Sequence, residues 1–436
     1  MNFKNKKVLV YGLSFSGEWA ARLLNKKKAT VFLYDDNNSA IKNKNFKNCF
    51  LVQNLNESII KQLDFIVVSP GIEYDNEYLD YARKNNIKVY SEMEFASLFS
   101  KNIIAITGTN GKTTTVELVA KILGKKYKTI ACGNNGYPMS KAVLEKKGHI
   151  KVAEVSSFML ENCATFAPHC ATILNIEPDH LIRHKTMNEY TRCKKNIFQN
   201  IEKDDYVVVN LDDKTYQTKV CNSVTYSYKK LADVYFKDGD IYLKGEKVIR
   251  ANQLSLKGKH NILNVMCAIC FAYIYKVPIL KIRQALLEYR AENFRNQFIK
   301  RVNNINFVND SKSTNIASTL ASVEMNKGPI ILLLGGSEKK LDYTKLFSKL
   351  NKRVIHIFAY GEIASKLVEA NAEKFKIKKC DNLSQAFDLA VREAKENDTI
   401  ILSPASASYD QFANFVERGK LFNEKVREYE ALVEKK

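Results

Sequence analysis

Residues 102–114 read Asn102-Ile-Ile-Ala-Ile-Thr107-Gly108-Thr109-Asn110-Gly111-Lys112-Thr113-Thr114. The first half is a short apolar run with the β-branched content of a strand buried on both faces. The second half is a Gly-rich turn, and Val116 to Leu123 beyond it carries a helical pattern. Strand, glycine turn and helix in that order make a phosphate cradle. The glycines let the backbone curl so that its N–H groups face an anion, and the helix N-terminus adds partial positive charge. Lys112 neutralises outer phosphates and Thr113 is positioned to ligate Mg²⁺. The general loop of this kind has four residues between its first Gly and the Gly-Lys pair, whereas here only Thr109 and Asn110 separate Gly108 from Gly111. A merely tight turn does not account for Gly-Lys-Thr in this register.

On either side the same strand-and-helix alternation continues. Toward the N-terminus, Val8–Tyr11, Thr30–Tyr34 and Asp64–Ser69 read as strands with helical patterns between them. Toward the C-terminus come Ile150–Glu154 and Ala171–Asn175, a β-rich stretch around Tyr206–Leu256, and a helix near Asn261–Tyr275. A last series follows at Ile305–Val308, Ile330–Leu334, Val354–Ala359 and Thr399–Leu402. Alternation of this kind predicts an α/β fold on parallel sheets, with sites at the strands' C-terminal ends. The chain has 436 residues, enough for about three domains. The expected division is 1–97, 98–291 and 292–436, three α/β domains in series with the phosphate loop in the central one.

Composition narrows the class. Lys plus Arg number 68 and Asp plus Glu 47, a formal charge of +21. The lysines are scattered, as in Lys26-Lys27-Lys28 and Lys378-Lys379, and no basic stripe joins a nucleic-acid motif. Surface lysines together with some anion sites therefore account for the charge. The nine cysteines form no disulfide framework, and Cys267 and Cys270 fall inside an apolar helix as core thiols. That pattern fits a reduced, cytoplasmic compartment. No run reaches the ~20 apolar residues of a membrane span.

A phosphate loop of this type needs an acid at a neighbouring strand end to help hold its metal. Glu154, followed by Val155-Ser156-Ser157-Phe158, stands at such an end. His180, in Asn175-Ile-Glu-Pro-Asp-His180, admits two readings, a structural histidine or a metal ligand. Lys194 and Lys195, on a helical segment, read by pattern alone as surface charges.

Together these segments resemble the Mur ligases, and within them the branch that uses D-glutamate. The matching pieces are Gly108–Thr114, Gly133-Asn-Asn-Gly136, Glu154–Phe158, Ile173–His180, His260-Asn-Ile-Leu-Asn264, Asn309–Asn315, Leu334–Lys339 and Leu402–Phe412, in family order across nearly the whole chain. The resemblance implies a Rossmann-like N-terminal domain, a central P-loop ATPase domain and a Rossmann-like C-terminal domain. It also implies ATP as co-substrate, two Mg²⁺ ions and a CO₂-derived carbamate on Lys194, chosen over Lys195 by aligning Tyr190 with the family's tyrosine. Thr113 and Glu154 would hold one ion, and His180 with the carbamate the other. ATP would be held by Gly108, Thr109, Asn110, Gly111, Lys112, Thr113 and Thr114, with Asn261 and Asn264 at adenine, Arg295 at the phosphates and Asp310 at the ribose. Lys312 would lie beside the reacting groups. Thr314, Lys339, Ser408 and Phe415 would receive the amino acid, Lys339 answering a dicarboxylate's charge. Gly12, Ser14, Asp35, Ser69, Pro70, Gly71, Asn134 and Ser156 would hold the UDP-sugar. Gly12-Leu-Ser-Phe-Ser-Gly17 resembles a dinucleotide fingerprint with Ser14 for its middle Gly, a form suited to a UDP diphosphate.

Three positions depart from the family. Asp36 and Asn37 stand where a Thr and an Arg usually meet uracil, and Phe294 precedes Arg295 in place of a His.

The implied reaction joins D-glutamate to UDP-N-acetylmuramoyl-L-alanine through an acyl phosphate, by positioning and charge neutralisation, with hinge closure of the last domain. The expected partners are these small molecules, with neither nucleic acid nor membrane, and the chain is expected to be a monomer. Three competing readings remain: a sister ligase taking another amino acid, folylpolyglutamate synthase, and a nucleic-acid-binding P-loop ATPase. The second would not need the UDP-binding domain.

Overall fold

The computed structural model describes residues 2–37, 48–73, 75–161, 163–213, 222–290, 293–339 and 341–434. The chain packs into two compact units. One comprises Met1–Ile176, Thr186–Leu254 and Ile262–Tyr289, the other Glu177–Lys185, Ser255–Asn261 and Arg290–Lys436.

The first unit contains two sheets. In the N-terminal sheet the strands lie in the order Cys49–Leu51, Thr30–Tyr34, Lys7–Tyr11, Phe65–Val68 and Lys88–Ser91, all parallel. Val8 and Val10 face Ala20, Ala21 and Leu24 of the helix Phe15–Lys26. Leu9 and Tyr11 face Leu79 and Ala82 on the opposite side. Both faces are covered, which is why the strand is apolar throughout rather than alternating. Each such buried side chain contributes about 1.5–3 kcal/mol.

The second sheet is ordered Glu246–Arg250, Asp240–Leu243, Val234–Lys237, Ser223–Ser227, Tyr206–Asn210, Cys170–Ile173, Ile103–Thr107, Ile150–Glu154 and Thr129–Gly133. Only the last two strands in sequence, Asp240–Leu243 and Glu246–Arg250, run antiparallel to their neighbours. Asp238-Gly239 and Lys244-Gly245 close these hairpins with positive φ at both turn residues, the twist that suits a two-residue turn. The expected β-rich stretch is thus the edge of this sheet. The expected division after residue 97 falls between the two sheets. That at 291 and 292 lies outside the described residues.

The helix Lys259–Ile274 buries Cys267 and Cys270 completely, and burial pushes the Cys267 thiol up to about 12. Both behave as core side chains. Among the described residues no helix is long and apolar enough to cross a membrane.

A short helix, Glu92–Ser97, follows the N-terminal sheet and carries two inward glutamates. Glu92 accepts from the Ser140 N–H at 2.6 Å, in the first turn of the helix Met139–Glu145. Glu94 accepts from the N–H groups of Ala164 (2.8 Å) and Thr165 (2.5 Å), and from the Thr165 hydroxyl at 2.8 Å. These contacts tie the N-terminal sheet's last helix to segments flanking the second sheet.

In the second unit the sheet runs Gln297–Val302, Ile305–Asn309, Thr399–Ala405, Ile330–Gly335, Val354–Tyr360 and Ile377–Cys380. All pairs are parallel except the first hairpin. Leu332 and Leu334 join one core and Ile331 and Leu333 the other. Thr399–Ala405 extends three residues past the expected end, because Ala405 still pairs with Gly335.

Burial pushes the Glu92 carboxyl up to about 7, against the pull of the Ser140 and Met139 donors. A raised carboxyl favours the protonated folded state, so its contribution is present below the unfolded value and is lost as pH rises through about 7. Chemical denaturation between pH 4.5 and 8 should show a loss of up to about 3 kcal/mol from this group. Glu92→Gln should flatten that dependence. A wild-type slope that survives in the variant would assign it elsewhere.

Candidate active site

The strand Ile103–Thr107 runs into the loop and then into the helix Lys112–Leu123. Gly111, the N-cap, has φ 83°, and a Cβ there would fall 2.5 Å from Asn264 Oδ1. Gly108 has φ 154°, with Leu174 Cβ 3.0 Å from any Cβ it carried. Backbone shape and close packing both demand glycine at these two positions. The loop is also clasped: the Asn110 N–H donates to Asn175 Oδ1 at 2.9 Å, and Asn175 Nδ2 donates to the Asn110 carbonyl at 3.0 Å. Lys112 Nζ folds over the loop, donating to the carbonyls of Gly108 (2.8 Å) and Thr109 (2.9 Å). Thr113 and Thr114 are buried beside it.

Glu154 ends the adjacent strand, paired in register with Ile106. Its carboxylate is buried. Oε1 accepts from Asn134 Nδ2 at 3.2 Å, while Oε2 has no hydrogen-bond partner. A buried carboxylate oxygen without a donor is costly in a dry site, and a divalent cation is what such an oxygen lacks. Thr113 adds a buried hydroxyl in the first turn after the loop, and oxygen donors of this kind fit a hard, oxygen-seeking ion such as Mg²⁺. Lys194, on the helix Met187–Lys195, is also buried, whereas Lys195 is exposed. Its Nζ donates to the Gly108 carbonyl at 3.0 Å and Thr107 Oγ1 at 3.3 Å, and lies 4.7 Å from the Tyr190 ring centroid.

In the N-terminal sheet, Gly12 (φ 87°) opens the turn before the helix Phe15–Lys26. Ser14 Oγ lies 3.1 Å from Ser16 Oγ and 3.3 Å from Ser69 Oγ, and Ser69 donates to the Gly12 carbonyl at 2.7 Å. Three hydroxyls thus gather at a helix N-terminus, beside Pro70 and Gly71. Asp35 accepts from the N–H groups of Leu13 (2.5 Å) and Asn37 (2.9 Å). The unusual Asp36 accepts from Tyr11 OH at 2.9 and 3.0 Å, and Asn76 Nδ2 donates to the same hydroxyl at 3.0 Å. Burial and Asp36 hold the Tyr11 phenol far above its ordinary range. Asn134 lies in the turn against Glu154. Ser156 Oγ accepts from the Met159 N–H at 3.3 Å.

The second unit gathers its own set. Lys339 Nζ donates to Asp179 Oδ1 at 2.6 Å and to the Thr314 carbonyl at 3.1 Å. Asp179 also accepts from Asn315 Nδ2 at 3.3 Å, and His180 Nε2 lies 3.7 Å from it. Burial alone would raise the Asp179 carboxyl, but Lys339, then His180 and the hydrogen bonds, hold it down at about 2. His180 itself takes a left-handed φ of 56°. Asp310 points inward, accepting from the Asn296 N–H and Ser403 Oγ at 2.8 Å each. Arg295 lies near His260, and burial together with its charge lowers that imidazole's pKa. Asn261 Nδ2 donates to the Lys257 carbonyl at 2.8 Å. Lys312 Nζ sits 5.1 Å from the Phe415 ring centroid. Ser408 is buried, its carbonyl accepting from the Phe412 N–H at 2.8 Å. Phe294, the third departure, packs its ring against Gly419, where a Cβ would be 2.3 Å away.

Residues 106–272 match the profile described as the Mur ligase middle domain, 294–406 the Mur ligase, glutamate ligase domain, and 6–91 the Mur ligase MurD-like N-terminal domain. The UDP-N-acetylmuramoylalanine–D-glutamate ligase of Thermoanaerobacter pseudethanolicus is 36% identical over 452 residues, covering 98% of this chain and 99% of that one. The chain belongs to the Mur ligase family. The enzyme of the same name from Caldicellulosiruptor saccharolyticus is 35% identical, with 98% and 100% covered. Among solved structures, a pseudomurein peptide ligase type C from Methanothermus fervidus has a TM-score of 0.62 at 18% identity, covering 97% and 100%. The MurF ligase of Thermotoga maritima, solved with ADP, has 0.61 at 14%, covering 98% and 96%. These structural likenesses are of fold. A Mur ligase is an ATP-dependent enzyme that forms amide bonds, and the phosphate loop is the part of this chain suited to that.

Two residues in this Mur ligase had no assigned role in the sequence. Asp179 was visible only as the neighbour of His180, although a half-buried lysine such as Lys339 requires an acid somewhere. Arg418 carries no mark of its own in the sequence. It is fully buried and donates to the carbonyls of Ser311 (2.8 Å), Ser406 (3.0 Å) and Ala407 (3.0 Å), and to Ser311 Oγ at 3.1 Å. It thereby fixes the loops that carry Lys312 and Ser408.

Asp179→Asn removes one partner of a buried pair and should destabilise the fold by about 3 kcal/mol. The double variant Asp179→Asn/Lys339→Met should recover much of that loss in a denaturant titration. Additive losses would show that the two side chains are not coupled.

Proposed function

We infer that this Mur ligase joins D-glutamate to UDP-N-acetylmuramoyl-L-alanine, consuming ATP, in peptidoglycan precursor synthesis. The observation that carries the reading is the phosphate loop beside the partnerless Glu154 oxygen, in a chain alike from end to end to D-glutamate ligases. The reading divides the chain at 97/98 and 291/292, with the UDP-sugar, ATP and amino-acid domains in that order. It makes the protein a cytoplasmic monomer whose partners are its three substrates, without nucleic acid.

A carboxylate is a poor acyl donor, because its delocalised negative charge makes the carbonyl carbon unreactive toward an amine and leaves it no good leaving group. The terminal carboxylate of the UDP-sugar substrate therefore attacks the γ-phosphate of ATP, giving an acyl phosphate and ADP. The D-glutamate amine then adds to the activated carbonyl, and the tetrahedral intermediate expels phosphate to leave the amide. The loop N–H groups from Gly108 to Thr114 and the Lys112 ammonium hold the phosphate chain and neutralise charge as it moves. Arg295 adds to that neutralisation, Asn261 and Asn264 hold adenine, and Asp310 the ribose. Thr113 and Glu154 would hold a Mg²⁺ ion, and His180 with a carbamate on Lys194 a second, which would supply Lewis-acid charge compensation. Carbamylation converts the buried Lys194 cation into an anion beside the loop. Lys312 lies by the reacting groups. Lys339, with Thr314, Ser408 and Phe415, orients the D-glutamate carboxylates. Gly12, Ser14, Ser69, Pro70, Gly71, Asp35, Asn134 and Ser156 hold the UDP-sugar.

Phosphate release should require ATP, Mg²⁺, UDP-N-acetylmuramoyl-L-alanine and D-glutamate together. Release with a different amino acid would transfer the assignment to a sister ligase. ATP turnover that depends on DNA or RNA with a steep salt slope would overturn it. Lys194→Ala should lower kcat by at least about 100-fold, and a ¹³C carbamate resonance from labelled bicarbonate should be present in the wild type and absent from the variant.

A further inference from the structure

The eight positions assigned to the UDP-sugar include no cation. Three hydroxyls, backbone N–H groups and Asp35 surround a ligand whose diphosphate carries about two negative charges near neutral pH. An unused lysine stands next to this cradle. Lys141, on the helix Met139–Glu145, places its Nζ 4.7 Å from the Tyr137 ring centroid, 5.0 Å from Trp19 and 5.5 Å from Phe15. Among the described residues it has neither an ion pair nor a side-chain hydrogen bond. The one acid on each of the two helices is otherwise engaged: Glu145 accepts from Tyr137 OH at 2.7 Å, and Glu18 pairs with Arg22 at 2.8 Å.

The position of the cage is informative. Phe15 belongs to the turn Gly12–Gly17, which forms the diphosphate cradle, and Trp19 lies one helical turn further on. Tyr137 directly follows the turn Gly133–Gly136, which carries Asn134. The three rings therefore hold the ammonium where the cradle and the sugar-side turn meet. A ring quadrupole attracts a cation without neutralising it, so the charge is positioned yet left available to an anion. A carboxylate in the same place would have cancelled it.

We propose that Lys141, held by Phe15, Trp19 and Tyr137, is the cation that binds the diphosphate of the UDP-sugar substrate. This rests on reading Gly12–Gly17 and Ser69 as the diphosphate cradle. The role is one of binding: it favours diphosphate-bearing ligands over the bare nucleoside and leaves the ATP site untouched.

Titration calorimetry of the full-length protein with UDP and with uridine tests it, with Trp19, the single tryptophan of the chain, as a local fluorescence reporter. Lys141→Met keeps the apolar stem against the rings and removes the charge. It should weaken UDP about 10-fold or more, leave uridine unchanged, and raise the KM for the UDP-sugar without moving the KM for ATP. Lys141→Arg should restore most of the loss, because a guanidinium also stacks on rings and binds phosphate. Equal weakening of UDP and uridine, or no weakening of either, would overturn the role. Ser69→Ala separates the two possible failures. UDP weakened by Ser69→Ala but not by Lys141→Met removes Lys141 alone, whereas UDP insensitive to both removes the cradle reading and Lys141 with it.

Discussion

The parallel register of three strands underlies the nucleotide side of this enzyme. Ile103–Thr107 pairs with Ile150–Glu154 so that Ile106 faces Glu154, and with Cys170–Ile173 so that Thr107 faces Ile173. The strands finish level, and each then delivers chemistry: the phosphate loop, the Glu154 carboxylate, and the segment carrying Asn175. Side chains alternate along a strand, so a slip of one residue would turn Glu154 to the other face. Apolar residues buried on both sheet faces hold the register, which makes the core, more than any polar contact, the source of the site's geometry.

Buried charge is the second recurring device. Glu154, Lys194, Asp179 and Arg418 are each almost wholly removed from water, where an uncompensated charge is expensive. Their solutions differ. Arg418 is satisfied by carbonyls and acts as a structural tie. Asp179 is balanced by Lys339. Lys194 faces a loop carbonyl and an aromatic ring. Glu154 keeps one oxygen without a donor, the feature that marks it as a metal-ligand candidate, whereas Arg418 and Asp179 are already provided for within the protein.

The reach of the sequence follows from how local each interaction is. The phosphate loop was legible because its chemistry needs adjacent residues on one strand–turn–helix unit. The strands named from the sequence were legible from their uninterrupted apolar runs, with ends shifted by at most three residues, whereas Cys49–Leu51, Lys88–Ser91, Thr129–Gly133, Gln297–Val302 and Ile377–Cys380, short or mixed with polar residues, were not. Asp179 and Arg418 were not legible as functional, since their partners lie far away in the chain: Lys339 is 160 residues from Asp179, and Ser311 is 107 from Arg418. A charge on a helix looks the same in sequence whether it meets water or three carbonyls. Asp36 is a similar case. Its contact with Tyr11 depends on two strands lying side by side, which no local pattern announces.

The reciprocal amide clasp between Asn110 and Asn175 bears on ligand affinity as well as shape. An unrestrained glycine turn of this length would have to surrender backbone freedom on meeting a phosphate, at about 1–2 kcal/mol per residue. Here the turn is held on both its N–H and C=O sides before any nucleotide arrives. That entropy is surrendered when the chain folds, and the anion meets donors already fixed in place. Nucleotide binding in this protein therefore draws on folding stability laid down in advance, through a residue that belongs to a different strand end from the loop it restrains.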